Sequence, residues 1–285
     1  NNLKQFGLIF KMYASESKDG RYPPTQKWHL NGTPTLLGLR GNMLYPEYWT
    51  EPNIILCPSD SRAKEFMGYI DLDLNKAVRD AVASGASREC VEVLLSLSIS
   101  YAYFGYFVTS SSQLKDIIWS RTLIAYEEGI DGNETIISAA EMRAQGCPRN
   151  EFRAYGRLGL DDIPGDPRYQ AGYGQIDDDG QSMPEGYRRL QEGGERFLTE
   201  DINNQAASAF AQSAIPIMMD TWAGYFPPLG GPARFNHIPG GSNVLYLDGH
   251  VEFVTLGSRF PVADSPPGTY GENLSVIMTA ASGAD

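Results

Sequence analysis

The dipeptide Asp248-Gly249 stands between two short runs rich in β-branched and apolar residues, Val244–Leu247 and His250–Val254. It suits a two-residue type I′ turn, in which both central residues need φ > 0, so the stretch reads as a β-hairpin. With those two residues at the tip, Leu247 faces His250, Tyr246 faces Val251, Leu245 faces Glu252 and Val244 faces Phe253. Side chains alternate along a strand, so Val244, Tyr246, Val251 and Phe253 share an apolar face expected to lie on a core. The opposite face, Leu245, Leu247, His250 and Glu252, is half polar and expected to be partly wet. Ahead of the hairpin, His237, Pro239, Gly240, Gly241 and Asn243 suit a tight, irregular approach loop. His237 is read as bonding the turn or a neighbouring carbonyl. The alternative is a metal ligand, imidazole being the commonest one, with His250 as a conceivable second ligand.

The chain's other end carries helical periodicity. Leu3, Phe6, Phe10 and Tyr13 recur at steps of three and four and form one stripe of an amphipathic helix over residues 1–17. Asp19-Gly20 ends it and Tyr22-Pro23-Pro24 leaves as extended chain. A short helix is expected within Thr35–Tyr48. Leu74, Ala77, Val78, Ala81 and Val82 give a strong helical repeat inside 71–97, capped by Asp71 or Asp73 and ended at Gly85, with a second helical piece over Arg88–Leu95. Tyr101–Val108 is β-prone, Gln113–Ala125 helical behind a cap among Ser110–Ser112, and Thr135–Ile137 the start of a strand. Residues 148–184 hold no period and read as a long irregular loop. Glu195–Phe210 patterns as an amphipathic helix, within a helical region placed at 186–212. Ala214–Met219 reads as an apolar strand ending at Asp220. The tail over 257–285 is small and polar, with one apolar run at Val276–Met278.

Length and composition bound the classes. With 285 residues, 42% of them hydrophobic, the chain can bury a real core. The formal charge of −12, from 23 basic and 35 acidic residues, argues against nucleic acid or an anionic membrane surface as partner. No apolar segment reaches the ~18 residues that a bilayer span requires, and no signal peptide is read. Three cysteines, Cys57, Cys90 and Cys147, show no CxxC spacing, which argues against a structural zinc site. Their odd number leaves at least one thiol unpaired within the chain. One disulfide can form in an oxidising compartment, and the sequence does not choose the pair.

His237, the Gly240-Gly241-Ser242-Asn243 run, the apolar strand and Asp248-Gly249-His250-Val251 together resemble the C-terminal signature of prepilin-like proteins of the planctomycete–verrucomicrobia type. Ten residues, Ile238 to Leu247, separate the His from the Asp-Gly, one more than in that family. The opening NNLKQFGLIFKMYASESKDGRYPP is similar to the segment that follows the membrane-spanning half of the family's first helix. Cys57-Pro58-Ser59-Asp60 and Ser100-Tyr101-Ala102-Tyr103 are similar to two further family elements, and 71–97 reads as an insertion. The resemblance implies a single pilin-like α+β domain over 1–285. An N-terminal helix, whose C-terminal half is 1–18, would pack on an antiparallel sheet, with inserted helices around it. It further implies a non-catalytic structural subunit of a type IV pilus-like or type II secretion pseudopilus-like filament. Such a subunit sits in the periplasm or at the cell surface and is anchored to the inner membrane before assembly. The implied partners are other pilin-like subunits, met through an apolar helix that would precede Asn1, so the chain is expected to be a fragment.

Two other readings compete. Plentiful aromatics (16 Tyr, 12 Phe, 4 Trp) and the 148–184 loop could make a carbohydrate- or protein-binding surface. Glu127-Glu128 and the acidic clusters could serve a secreted hydrolase, but adjacent residues diverge on helix or strand and do not face each other. No GKS/T phosphate loop, HExxH or GxSxG occurs. Asp177-Asp178-Asp179-Gly180 reads as a solvated acidic loop. Asp177 and Asp179 are its candidate calcium ligands, since hard cations favour several carboxylates near a Gly turn, and no other cofactor is expected. Cys57 reads as a small buried hydrophobe.

Overall fold

The computed structural model describes residues 1–30, 37–60, 65–66, 69–70, 73–96, 100–147, 151–158, 162–165, 183–194, 211–223, 234–235, 237 and 240–262. Its first element, α1 (Asn2–Glu16), buries Leu3, Phe6, Ile9 and Phe10, with Tyr13 packed at the edge of the same core. The stripe read from the sequence is therefore the buried one. Phe6 and Phe10 meet Trp49, Tyr101, Tyr22 and Tyr103 at ring-centroid distances of 5.1–6.2 Å. A buried Phe contributes about 1.5–3 kcal/mol from area alone, and tilted or edge-on ring pairs add to it.

The helix packs on β12 (Gly241–Tyr246) of a four-stranded antiparallel sheet. From one edge inward the sheet runs β13 (Val251–Thr255), β12, β9 (Pro216–Asp220) and β4 (Tyr101–Tyr103). Met218 and Leu245 face the α1 side. Met219, Val244, Tyr246 and Val254 join a second cluster with Leu114, Ile117 and Ile118 of α4 (Ser111–Ile130). Both faces of the central strands are thus covered, which is why β9 is apolar at every position before Asp220. The chain is mixed α+β, an N-terminal helix on an antiparallel sheet with further helices around it.

The other elements follow local signals. Asp73 caps α2 (Leu74–Ala83) by accepting from the Lys76 N–H at 3.0 Å, and Ser87 caps α3 (Arg88–Leu94). Ser110 caps α4, and Ser138 with Glu141 forms a capping box at α5 (Ala139–Ala144). A second antiparallel sheet orders β1 (Trp28–Leu30), β6 (Phe152–Tyr155) and β5 (Glu134–Ile137). Three two-stranded ribbons pair β2 (Glu65–Phe66) with β3 (Tyr69–Ile70), β7 (Ile163–Pro164) with β8 (Gly186–Tyr187), and β10 (Trp222–Ala223) with β11 (Arg234–Phe235). In place of a short α-helix within Thr35–Tyr48 there is a 3-10 turn at Gly41–Met43. The stretch expected to be one irregular loop, 148–184, contains β6 and β7. Cys90 and Cys147 are disulfide-bonded with Cα atoms 5.9 Å apart, leaving Cys57 as the free thiol. Among the described residues no helix is long and apolar enough to cross a membrane. Of the helical region placed at 186–212, residues 186–194 form β8, bridges and turns instead, and 195–210 lies outside the described residues, as do Asp177, Asp179 and the tail beyond 262.

The hairpin forms in a different register from the expected one. Leu245 pairs with Val251 and Val244 with Glu252. The Tyr246 N–H donates to the His250 carbonyl (3.0 Å) and the Gly249 N–H to the Tyr246 carbonyl (2.9 Å). The loop is three residues, Leu247-Asp248-Gly249, with only Gly249 at positive φ (94°) and Asp248 on the ordinary side. This is the bulged hairpin with a left-handed Gly, not the type I′ turn. A one-residue change of register changes which residues share a face. The expected apolar set is split: Val244 and Tyr246 join the α4-side cluster, Val251 packs on the α1-side core, and Phe253 is 37% exposed. Leu245 and Leu247, expected on a partly wet face, are buried under α1.

Candidate functional site

Asp220 ends β9, the strand between β12 and β4. The register sets Tyr101 beside it on one flank and Asn243 on the other. Asn243 donates to Asp220 Oδ2 twice, from its backbone N–H at 2.9 Å and from Nδ2 at 2.7 Å. His237 reaches the same carboxylate oxygen, with Nε2 3.0 Å away. An isolated antiparallel bridge to Gly241 holds His237 over the strand end. Gly241 is there because a Cβ would collide with the Val254 carbonyl and the Phe253 ring. Gly240 precedes it at φ 126°.

Cys57 arrives from a separate part of the chain. A 3-10 turn, Pro52–Ile55, precedes it, and the Asn2 side chain donates to the Leu56 carbonyl at 3.2 Å. Its Sγ lies 3.6 Å from His237 Nε2. The Tyr101 phenol interacts with the side chains of both Cys57 and Asn2. The possible donor atoms of Cys57, Asp220 and His237 all lie within 4.8 Å of one another.

The electrostatics are those of a nearly dry pocket. Asp220 is 1% exposed. Burial raises its carboxyl above the usual range, opposed by the two Asn243 hydrogen bonds and the His237 ring, while nearby Asp60 pushes the same way as burial. Burial also pushes up the Cys57 thiol and, further, the Tyr101 phenol. A thiol held in its protonated form is a poor nucleophile. The geometry agrees, because Cys57 and Asp220 both address the same ring nitrogen of His237. A nucleophile–base–orienter relay uses the two nitrogens separately.

The expected motif residues divide. His237, Gly240, Gly241 and Asn243 gather at this cluster. Asp248 and Gly249 sit at the other end of β12, where Asp248 accepts from the His250 N–H (3.0 Å) and stabilises the turn. His250 stacks on Tyr246 there, with ring centroids 4.5 Å apart, and is not a second ligand beside His237. Glu127 and Glu128 do not face each other: Glu128 is buried and accepts from the Arg157 N–H, while Glu127 lies outside. Sequence reasoning missed Asp220 and the partnership of Cys57. The available signals were an acid closing an otherwise apolar strand and the acid following Cys-Pro-Ser.

Comparison with family models, curated proteins and solved structures finds no match to this chain.

Proposed function

We propose that the chain is the head of a structural subunit of a type IV pilus-like or type II secretion pseudopilus-like filament. In this reading it is non-catalytic. It is held at the inner membrane before assembly by an apolar helix preceding Asn1, and later sits in the periplasm or at the cell surface among other pilin-like subunits. The observation that carries the reading is the placement of α1. Its Leu3/Phe6/Phe10 stripe is fastened to an antiparallel sheet, while Leu8 (67% exposed) and Met12 (47% exposed) stand outward one turn apart. Those two side chains offer an apolar lateral contact to a neighbouring subunit. The Cys90–Cys147 disulfide fits an oxidising compartment. The segments that resemble the prepilin-like family, around Asn2, Cys57, Tyr101 and His237–Asn243, also meet at one place, as parts of a single signature would.

Two measurements test the proposal. The codons upstream of Asn1 should encode a basic segment, a cleavage site and an apolar helix. In the native protein, Leu8→Cys and Met12→Cys should give bis-maleimide cross-linked multimers in intact cells that the unsubstituted protein does not give. An upstream sequence with no apolar helix, or substituted protein that stays monomeric and cytosolic, would overturn it.

A further inference from the structure

We infer that Cys57, Asp220 and His237 form a binding site for a single thiophilic divalent cation of the zinc class. One sulfur, one imidazole nitrogen and one carboxylate make a mixed donor set that suits borderline-soft Zn²⁺. Ca²⁺ and Mg²⁺ favour oxygen donors throughout. With Zn–S about 2.3 Å and Zn–N about 2.0–2.1 Å, a tetrahedral centre needs S···N close to ~3.5 Å and N···O close to ~3.3 Å. The cluster has Cys57 Sγ 3.6 Å and Asp220 Oδ2 3.0 Å from His237 Nε2. Measured from His237, the sulfur is therefore already at ligand spacing and the carboxylate is a few tenths of an ångström too close, while sulfur and carboxylate lie within 4.8 Å of each other.

The surroundings are arranged as metal sites are. Ligands are oriented by outer hydrogen bonds, and here Asn243 grips the Asp220 carboxylate, while Tyr101 interacts with Cys57. Buried Asp220 and Asp60 both disfavour a negative charge on Cys57, which a bound dication would favour. Binding exchanges the thiol proton for the metal: the Cys57 S–H proton leaves to solvent as the S–metal bond forms. His237 coordinates as the neutral ring through the Nε2 lone pair, its proton on Nδ1. Among the described residues three protein ligands meet, which leaves a fourth position for water, reached where His237 is 26% exposed.

Cobalt(II) provides a direct readout, because Cys57 is the one thiol outside the disulfide. The chelator-treated, oxidised chain is titrated with Co²⁺, then with Zn²⁺. The expected result is a thiolate-to-cobalt charge-transfer band with tetrahedral visible bands, saturating at one equivalent and displaced by Zn²⁺. His237→Ala and Cys57→Ser should abolish the charge-transfer band, and Asn243→Ala should weaken Co²⁺ binding roughly 10- to 100-fold. Zn²⁺, but not Ca²⁺, should raise the Tm of the unsubstituted protein and leave that of His237→Ala unchanged. If Cys57→Ser fails to fold, His237→Ala decides, since its ring is the most exposed of the three. Absence of the band, its survival in His237→Ala, or a Zn²⁺ effect on Tm equal in both proteins would overturn the inference and leave a hydrogen-bonded cluster only.

Discussion

Asn243 holds Asp220 by two donors on one oxygen, its backbone N–H at 2.9 Å and its Nδ2 at 2.7 Å. The pair ties β12 to the end of β9 through a side chain rather than through the ladder. It leaves the carboxylate turned towards His237. A buried carboxylate lacking such donors is costly, because it loses water without replacement. Asn243 thus opposes the burial that raises the Asp220 carboxyl. Four predictions follow from the sheet and the elements packed on it.

The two hairpin glycines should differ in cost, because their surroundings differ. Gly249→Ala meets only the left-handed φ, since nothing but the Lys11 side chain lies near, and should cost about 1–2 kcal/mol. Gly241→Ala must push aside the Val254 carbonyl and should cost more, about 3 kcal/mol. Urea unfolding of both variants measures the difference, and equal costs would contradict the observed packing.

The inner and outer faces of α1 should separate stability from assembly. Phe10→Ala removes a ring packed against Tyr22 and Tyr103 and should cost about 3–5 kcal/mol. Leu8→Ser, on the solvent side, should change stability by no more than about 0.5 kcal/mol. Thermal unfolding of the two variants checks this.

The Cys90–Cys147 bond spans a sequence separation of 57 residues. Chain entropy then gives about 4 kcal/mol of stabilisation, which paired Cys90→Ser/Cys147→Ser substitution should remove in whole or part. Thiol titration of the unfolded, unreduced protein should find one reactive thiol, Cys57. Three would show that the bond does not form.

Acid should remove the cap of α2. Asp73 accepts from the Lys76 N–H and from Asn53, and these bonds hold its carboxyl below the usual range. A depressed folded pKa contributes stability that is present above the unfolded value. It is lost as pH falls through the folded value. Asp73→Ala should cost about 1 kcal/mol at neutral pH and nothing in strong acid. The difference in unfolding free energy between the two proteins, followed from neutral pH into acid, tests the sign.

Much of the architecture was legible along the chain. Leu3, Phe6 and Phe10 at helical spacing are the buried side of α1, the caps fall within the pairs and triplets expected (Asp73 of Asp71 or Asp73, Ser110 of Ser110–Ser112), and the strand expected over Ala214–Met219 forms at Pro216–Asp220. Each follows from residues within a turn or two of one another, where periodicity, capping and β-branching act directly. The hairpin itself was legible for the same reason, but its register was not. Asp248-Gly249 is compatible with a two-residue loop and with the three-residue loop that forms, and burial on both faces of β12 removes the polar alternation that would have told them apart.

The sequence alone therefore determined the strongly patterned local elements: α1, α2, α4, the strand that ends at Asp220, and a turn at Asp248-Gly249, but not β6 and β7 within 148–184. Only the tertiary structure decided that Leu245 pairs with Val251, that Cys90 takes Cys147 as its partner, and that Cys57, Asp220 and His237 share one pocket. The physical reason is range. Propensity and patterning act over a few residues, whereas these contacts join positions as far apart as the 180 residues between Cys57 and His237. Such contacts exist only once α1, the sheet and α4 have packed as layers and brought distant chain segments to the same strand end.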